Sequence, residues 1–411
     1  MPDGHVRFAL IGGGVAAANC ARMLRRSGAD GEIVLIGREP DPPYNRPPCS
    51  KGYLQGKESR ADTLLEPADF YAEHDIELLT RVSAMKLDPV ARTVKLSNKV
   101  ELGFDQALIA TGAGVRRLNV DGSGLEGIHY LRTLGNADAI RADGAGKRVV
   151  LIGGSYVACE LAATLTELGS QCTMVMLEHL PLSRHFGDQA GRFFHERLTE
   201  HGITIHEKQE LGRFEGADGR VTTVVTKSGL SLDADAVVLG TGAVPDVMLA
   251  RGAGLELGES GGVKVDRSLC TSAPGIYAAG DMAEYDSVLH GGRVRIEHWD
   301  VAFNQGKTAA LNMLGRDQPH DVVPYFFSDL SDWASLEYAG PASDWDREIV
   351  RGSLDDGSFS VWYLNGGRLA AALSVGRSDD LEHARRLIAS GADVSARGAE
   401  LEDLSTDLAG L

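Results

Sequence analysis

The sequence predicts an α/β protein made of two doubly wound, Rossmann-like nucleotide domains and a small α+β C-terminal domain. Three observations carry this. A strand, a glycine turn and a helix occur in succession twice. Each copy is followed later by a second strand-and-turn block, and the two blocks nearly superimpose as text. From about His320 the character changes and aromatic residues concentrate. Strands alternating with helices imply parallel sheets joined by βαβ crossovers.

In the first copy, Val6 to Ile11 is an apolar, β-branched run that predicts a strand. Gly12-Gly13-Gly14 is the turn, Val15 to Leu24 the helix start, Glu32 to Ile36 the next strand, and Glu39 follows it. In the second copy, Arg148 to Ile152 leads into Gly153-Gly154-Ser155. A helix runs from about Tyr156 to Leu168, a strand from Cys172 to Leu177, and Glu178 follows. The later blocks are Phe104 to Ala113, containing Ala110-Thr111-Gly112, and Ala234 to Ala243, containing Gly240-Thr241-Gly242. Ile276 to Asp281 reads as a short strand ending in Gly280 and a carboxylate, and Val301 to Leu314 as a helix. Beyond His320, short β-like runs such as Phe359 to Leu364 and Leu369 to Val375 are expected as strands, and a helix near Leu381 to Ser390. Residues after about Ser395 are small and polar and are expected to be loosely ordered.

Composition narrows the function. With 411 residues, 43% hydrophobic and 24% charged, the chain can bury two or three cores and is neither disordered nor collagen-like. No stretch approaches the roughly 20 apolar residues of a membrane span. The N-terminal run leads straight into a glycine turn and does not read as a signal peptide. A formal net charge of −17 argues against a nucleic-acid partner. The five cysteines (20, 49, 159, 172 and 270) are widely spaced without a C-x-x-C, which suits a reducing, cytoplasmic compartment better than structural zinc or a disulfide framework. No metal-ligating constellation is visible among the twelve histidines.

The glycine turns suit a dinucleotide. One glycine permits the tight turn, the next lets the backbone approach a pyrophosphate, and a third small residue brings helix and strand together. The helix N-terminus then offers N–H groups and a positive dipole end, and an acid after the second strand binds ribose. Gly12, Gly14 and Ala17 take those places in the first copy, with Glu39 as the acid. Gly153, Ser155 and Ala158 take them in the second, with Glu178. Ser155 departs from the pattern. A carboxylate at the ribose repels a 2′-phosphate, so Glu178 favours NADH over NADPH; the bland alternative is a solvated surface glutamate.

These residues resemble the FAD-dependent NAD(P)H reductases of the ferredoxin reductase type, over about residues 5 to 390. Monodehydroascorbate reductase and apoptosis-inducing factor share the architecture. The resemblance rests on Pro43 to Lys51 (PYNRPPCSK), Ile109 to Ala113, Leu131 to Leu134, Ile276 to Asp281, Glu297-His298-Trp299 and Pro324 to Asp329. It implies a discontinuous FAD domain (1–115 and 245–320), an NAD domain (116–244), a C-terminal domain (321–395) and a tail (396–411). It assigns to FAD the residues Gly12, Gly14, Ala17, Glu39, Arg46, Lys51, Val82, Ala110, Thr111, Gly112, Arg132, Gly280, Asp281, His298, Trp299 and Phe327. Gly153, Ser155, Tyr156, Ala158, Glu160, Glu178 and Gly242 fall to the nicotinamide nucleotide. Without the resemblance, Arg46 and Arg132 read as ion-pair partners and Trp299 as core.

Hydride transfer to flavin needs no general acid or nucleophile; the protein aligns the rings and tunes their electrostatics. The resemblance pairs Lys51 with Glu160 for that purpose, whereas from the sequence alone Glu160 is a first-turn acid complementing the helix dipole. The implied activity is that of an NADH reductase passing single electrons to a small iron–sulfur protein, ferredoxin or rubredoxin, of an oxygenase or P450 system, as a monomer or homodimer. Two alternatives stand beside it. One is a small-molecule reductase or peroxidase, monodehydroascorbate-like or using Cys49, where the family has leucine. The other is an NADH-responsive interaction protein like apoptosis-inducing factor.

Overall fold

The computed structural model describes residues 5–289, 291–342 and 344–411. The chain forms two compact units: Met1–Asn45, Leu64–Gly114 and Val244–Phe326 make the first, and Arg46–Thr63, Val115–Ala243 and Phe327–Leu411 the second.

The first unit is built on a seven-stranded sheet. Ile76–Leu79, Ile33–Ile36, His5–Ile11 and Glu101–Ile109 run parallel in that order; Ile276–Ala278 also pairs in parallel with Glu101–Ile109, while Thr93–Leu96 and Ala84–Asp88 complete it antiparallel. The central strands are apolar on both faces, as buried parallel strands must be. Val15–Arg26 is helical from the glycine turn onward, with Arg25 and Arg26 complementing the dipole in its last turn. Its small residues allow a tight crossing with the helix Trp299–Met313. A Cβ on Gly306 would collide with the Ala16 carbonyl, and Cys20 Sγ lies 3.8 Å from Met313 Sδ.

The second unit carries a five-stranded parallel sheet in the order Thr204–His206, Gln171–Val175, Arg148–Ile152, Ala236–Leu239, Ile128–Tyr130. A three-stranded antiparallel sheet, Leu211–Ala217, Arg220–Thr226 and Ser231–Asp233, follows it. The C-terminal region is a five-stranded sheet in the order Tyr325–Leu330, Ala334–Ala339, Arg368–Val375, Ser358–Asn365, Arg347–Ser353, the last four paired antiparallel. The helix Ser378–Ser390 covers it with Leu381, Ala384, Leu387 and Ile388. Among the described residues, no helix is long and apolar enough to cross a membrane.

The architecture is the α/β arrangement expected, with three corrections. The helix expected from Val301 starts at Trp299, because His298 holds extended backbone (φ −112°, ψ 144°) and serves as its N-cap. The strand expected to run to Leu177 ends at Val175. The C-terminal stretch is not loosely ordered: Ser395–Arg397 and Gly398–Glu402 form helical turns, and Leu401 and Leu408 are buried. The reason is Arg351, itself 4% exposed, whose guanidinium donates to the carbonyls of Leu401, Asp403, Leu404 and Thr406 and lies 3.4 Å from Asp380.

Candidate active site

The first glycine turn is shaped by close backbone approach. Gly12 has φ +141°, and a Cβ there would run into the Ala110 carbonyl oxygen. Gly13 stands against Gly37, whose Cα is 3.4 Å from the place a Cβ would take. Gly14 is the N-cap of the helix, with nothing within 4 Å of its missing side chain and no side-chain cap. The first-turn N–H groups therefore face an open cradle suited to a pyrophosphate. Glu39 follows the second strand, its carboxylate accepting from Tyr44 Oη at 2.6 Å. Val82 is bound to the same crossing, its N–H donating to Gly37 O at 3.0 Å.

The remaining residues of this unit surround its strand ends. Thr111 Oγ1 donates to Asp246 O at 2.6 Å, and Gly112, in left-handed conformation (φ +70°), accepts from the Asp246 N–H at 2.8 Å. The Gly280 N–H donates to buried Gln305 at 2.7 Å, and the Asp281 carbonyl accepts from Arg295 at 2.9 Å. Trp299 stacks on Phe303 at 5.0 Å and donates from Nε1 to Asn45 Oδ1 at 3.0 Å; His298 tilts against Phe326 at 4.6 Å.

The second turn, in the second unit, repeats the backbone and changes the chemistry. A Cβ on Gly153 (φ +118°) would lie 2.5 Å from Gly240 O, and one on Gly240 would lie 2.8 Å from the Ala158 Cβ. Ser155 caps the helix Tyr156–Glu167: its Oγ accepts from the Ala158 N–H at 3.4 Å and donates to Gly240 O at 3.1 Å. Glu178 lies over the turn, its Oε2 3.3 Å from where a Cβ on Gly154 would be. Gly242 (φ +87°) accepts from the Arg116 N–H at 2.9 Å.

The same unit brings Lys51 and Glu160 together. Lys51 Nζ is 2.5 Å from Glu160 Oε1. Glu160 is 4% exposed and lies beyond the first turn of its helix, which has no acid, so it is a buried ion-pair partner and not a dipole complement. Two hydroxyls complete its shell. Ser50 Oγ donates to Oε2 and Ser328 Oγ to Oε1, each at 2.5 Å. Neither serine was singled out from the sequence; the only signal is their place beside Lys51 and Phe327 in two quoted segments. A carboxylate taken out of water needs such saturation. Thr164 fixes the loop by donating to Ser50 O at 2.7 Å, and the ammonium lies 5.8 Å from the centre of the Phe327 ring, which is 42% exposed. Arg46 Nη1 donates to Arg132 O at 2.5 Å, so the two arginines meet through a guanidinium and a backbone carbonyl.

Cys49 is 2% exposed in the short turn Pro47–Ser50, and all five cysteines are free thiols. Burial pushes the Cys172 thiol up to about 11 and raises those of Cys20, Cys159 and Cys270, which keeps these four protonated.

Residues 6–306 match the family described as pyridine nucleotide-disulphide oxidoreductase, and residues 325–411 match the reductase C-terminal family. The chain is a pyridine nucleotide-disulphide oxidoreductase. Members of this family use FAD and NAD(P)H. The oxidoreductase is 34% identical to rhodocoxin reductase of Rhodococcus erythropolis over 401 residues, 97% of this chain and 93% of that one. Its structure is similar to the ferredoxin reductase for the CYP199A2 system from Rhodopseudomonas palustris (TM-score 0.94, 32% identity, 99% of both chains). It is also similar to the reductase in the covalent putidaredoxin reductase–putidaredoxin complex (TM-score 0.93, 32% identity, 99% of this chain and 97% of that one).

Proposed function

We propose that this oxidoreductase takes hydride from NADH onto FAD and passes electrons singly to a small iron–sulfur protein of the ferredoxin class. The observation that carries this reading is the presence of two dinucleotide turns, each with its own carboxylate, in a chain similar over almost its whole length to reductases of such carriers. The bound flavin supplies storage for two electrons that can leave one at a time. The chain's own residues do the rest. Gly12, Gly14 and Ala17 hold the FAD pyrophosphate and Glu39 its ribose, with Val82, the Ala110-Thr111-Gly112 turn, Gly280, Asp281, His298 and Trp299 along the cofactor. The FAD domain is 1–115 with 245–320, and the NAD domain 116–244. Gly153, Ser155, Tyr156, Ala158 and Gly242 receive the nicotinamide nucleotide, and Glu178 selects NADH. Lys51, positioned by Glu160, offers positive charge to reduced flavin, while Arg46, Arg132 and Phe327 complete the FAD set. The free, largely buried thiols suit a cytoplasmic setting, and the protein works as a monomer or homodimer.

The test is an anaerobic NADH titration followed by flavin absorbance. One NADH per FAD to full reduction is expected. Two per FAD would require a second redox centre and would bring Cys49 forward, against its burial. Lys51→Ala should retain FAD and slow flavin reduction by about 100-fold or more, the scale of losing one pre-organised electrostatic group. Normal reduction kinetics would remove Lys51 from this role.

A further inference from the structure

The helix Ser183–Glu200 is broken near its start. Leu182, its N-cap, is a buried leucine in left-handed conformation (φ 62°, ψ −7°), and Gly187 breaks the helix (φ 75°, ψ 178°). The left-handed backbone at Leu182 is unfavourable for a leucine and persists only where the surroundings over-determine it, while Gly187 takes a conformation that glycine alone adopts readily. One end of the segment is tied to the second glycine turn: the Leu182 N–H donates to Gly154 O at 2.9 Å. The His185 ring stands 6.4 Å from that of Tyr156, the first residue of the helix that Ser155 caps.

The other end is held by the C-terminal sheet. Tyr363, fully buried, donates its hydroxyl to the Phe186 carbonyl at 2.8 Å. The Phe186 ring packs 5.3 Å from Tyr338. The Glu348 carboxylate lies over the α-carbon of Gly187, where a Cβ would meet it, and it is steadied by Trp345 Nε1 at 2.8 Å. Trp345 in turn packs 4.7 Å from Tyr363.

We propose that Tyr363 and Glu348 are positioning residues for the nicotinamide nucleotide. They hold residues 182–187 as a clamped strut, and through the Leu182–Gly154 hydrogen bond the strut keeps the second glycine turn in its binding shape. The proposal rests on the reading that this turn receives NADH. Neither residue touches the reacting atoms, so the effect falls on nucleotide affinity and not on hydride transfer.

The test uses the FAD-loaded protein. Stopped-flow reduction gives the NADH dissociation constant and the limiting rate separately, and hydrogen–deuterium exchange reads the 182–187 amides without nucleotide. Tyr363→Phe removes one oxygen and fills the same volume. It should raise the NADH dissociation constant about tenfold, leave the limiting rate within about twofold, and speed exchange at 182–187. Glu348→Ala should do the same, and Glu348→Gln, which keeps the acceptor for Trp345, should restore wild-type affinity. Faster exchange at 182–187 with unchanged NADH affinity would overturn the proposal, as would lost affinity with unchanged exchange. A wild-type protein whose flavin is not reduced by NADH would instead overturn the reading of the second turn, whatever the variants do.

Discussion

The two glycine turns share one backbone and differ in how the helix start is finished. Gly12 and Gly153 both meet a carbonyl oxygen of a neighbouring strand end where a side chain would have been, at Ala110 and at Gly240. After that they diverge. Gly14 leaves its helix without a side-chain cap, so the first turn is completed only by what it binds. Ser155 satisfies one N–H from within and ties the turn to Gly240, so part of the second turn is closed by the chain itself. A serine cap stabilises a helix by about 1 kcal/mol. On the assignment proposed above, the bare turn belongs to the cofactor that stays and the capped turn to the nucleotide that leaves in every cycle. An exchangeable ligand requires a site that keeps its shape between visits; a resident one can be part of the structure.

The strongest way to break this comparison is to put alanine at each turn glycine. Gly12→Ala combines a left-handed φ with a backbone collision, and should cost more than about 2 kcal/mol of stability and yield protein without flavin. Gly153→Ala should keep flavin and weaken NADH binding by about 100-fold, since the strain is then local to the second turn. Absorbance at purification and an NADH titration read both variants; if flavin were lost from Gly153→Ala and kept in Gly12→Ala, the two turns would have to exchange roles. A smaller effect is expected at Glu178. Glu178→Ala removes the charge that repels a 2′-phosphate and should raise NADPH use relative to NADH about tenfold, or about 1.4 kcal/mol. An unchanged ratio of kcat/KM values would take Glu178 out of the ribose site. The smallest is Ser155→Gly. It should lower stability by only a few tenths of a kcal/mol and free the Ala158 N–H, tightening NADH about two- to threefold. Weaker NADH binding would mean that the serine hydroxyl serves the nucleotide and not the empty turn.

Both turns were legible in the sequence because their cause is local: a strand, a glycine that alone tolerates the φ, and a helix. The Lys51–Glu160 pair was not legible in that way. The two residues are over a hundred positions apart, and the family resemblance, not spacing, suggested the pairing. Ser50 and Ser328 escaped notice because a hydroxyl becomes informative only once the carboxylate it serves is known to be buried. The C-terminal stretch was misjudged for a related reason. Its composition is polar, but Leu401 and Leu408 are buried and Arg351, some fifty residues earlier, supplies the donors that its carbonyls need. The break at Gly187 left no trace in the apolar pattern, since the carboxylate that lies over it comes from Glu348, about 160 residues on.

Arg351 also makes its sheet depend on residues 401 to 406. Its guanidinium is buried against Asp380 and closed over by the carbonyls of residues 401 to 406, and a buried charge without its partners costs several kcal/mol. That sheet also carries Tyr363 and Glu348, so a loss at residues 401 to 406 would be felt at the strut around Gly187 as well. A chain clipped before residue 401 would keep both glycine turns and leave Arg351 with Asp380 but without those carbonyls.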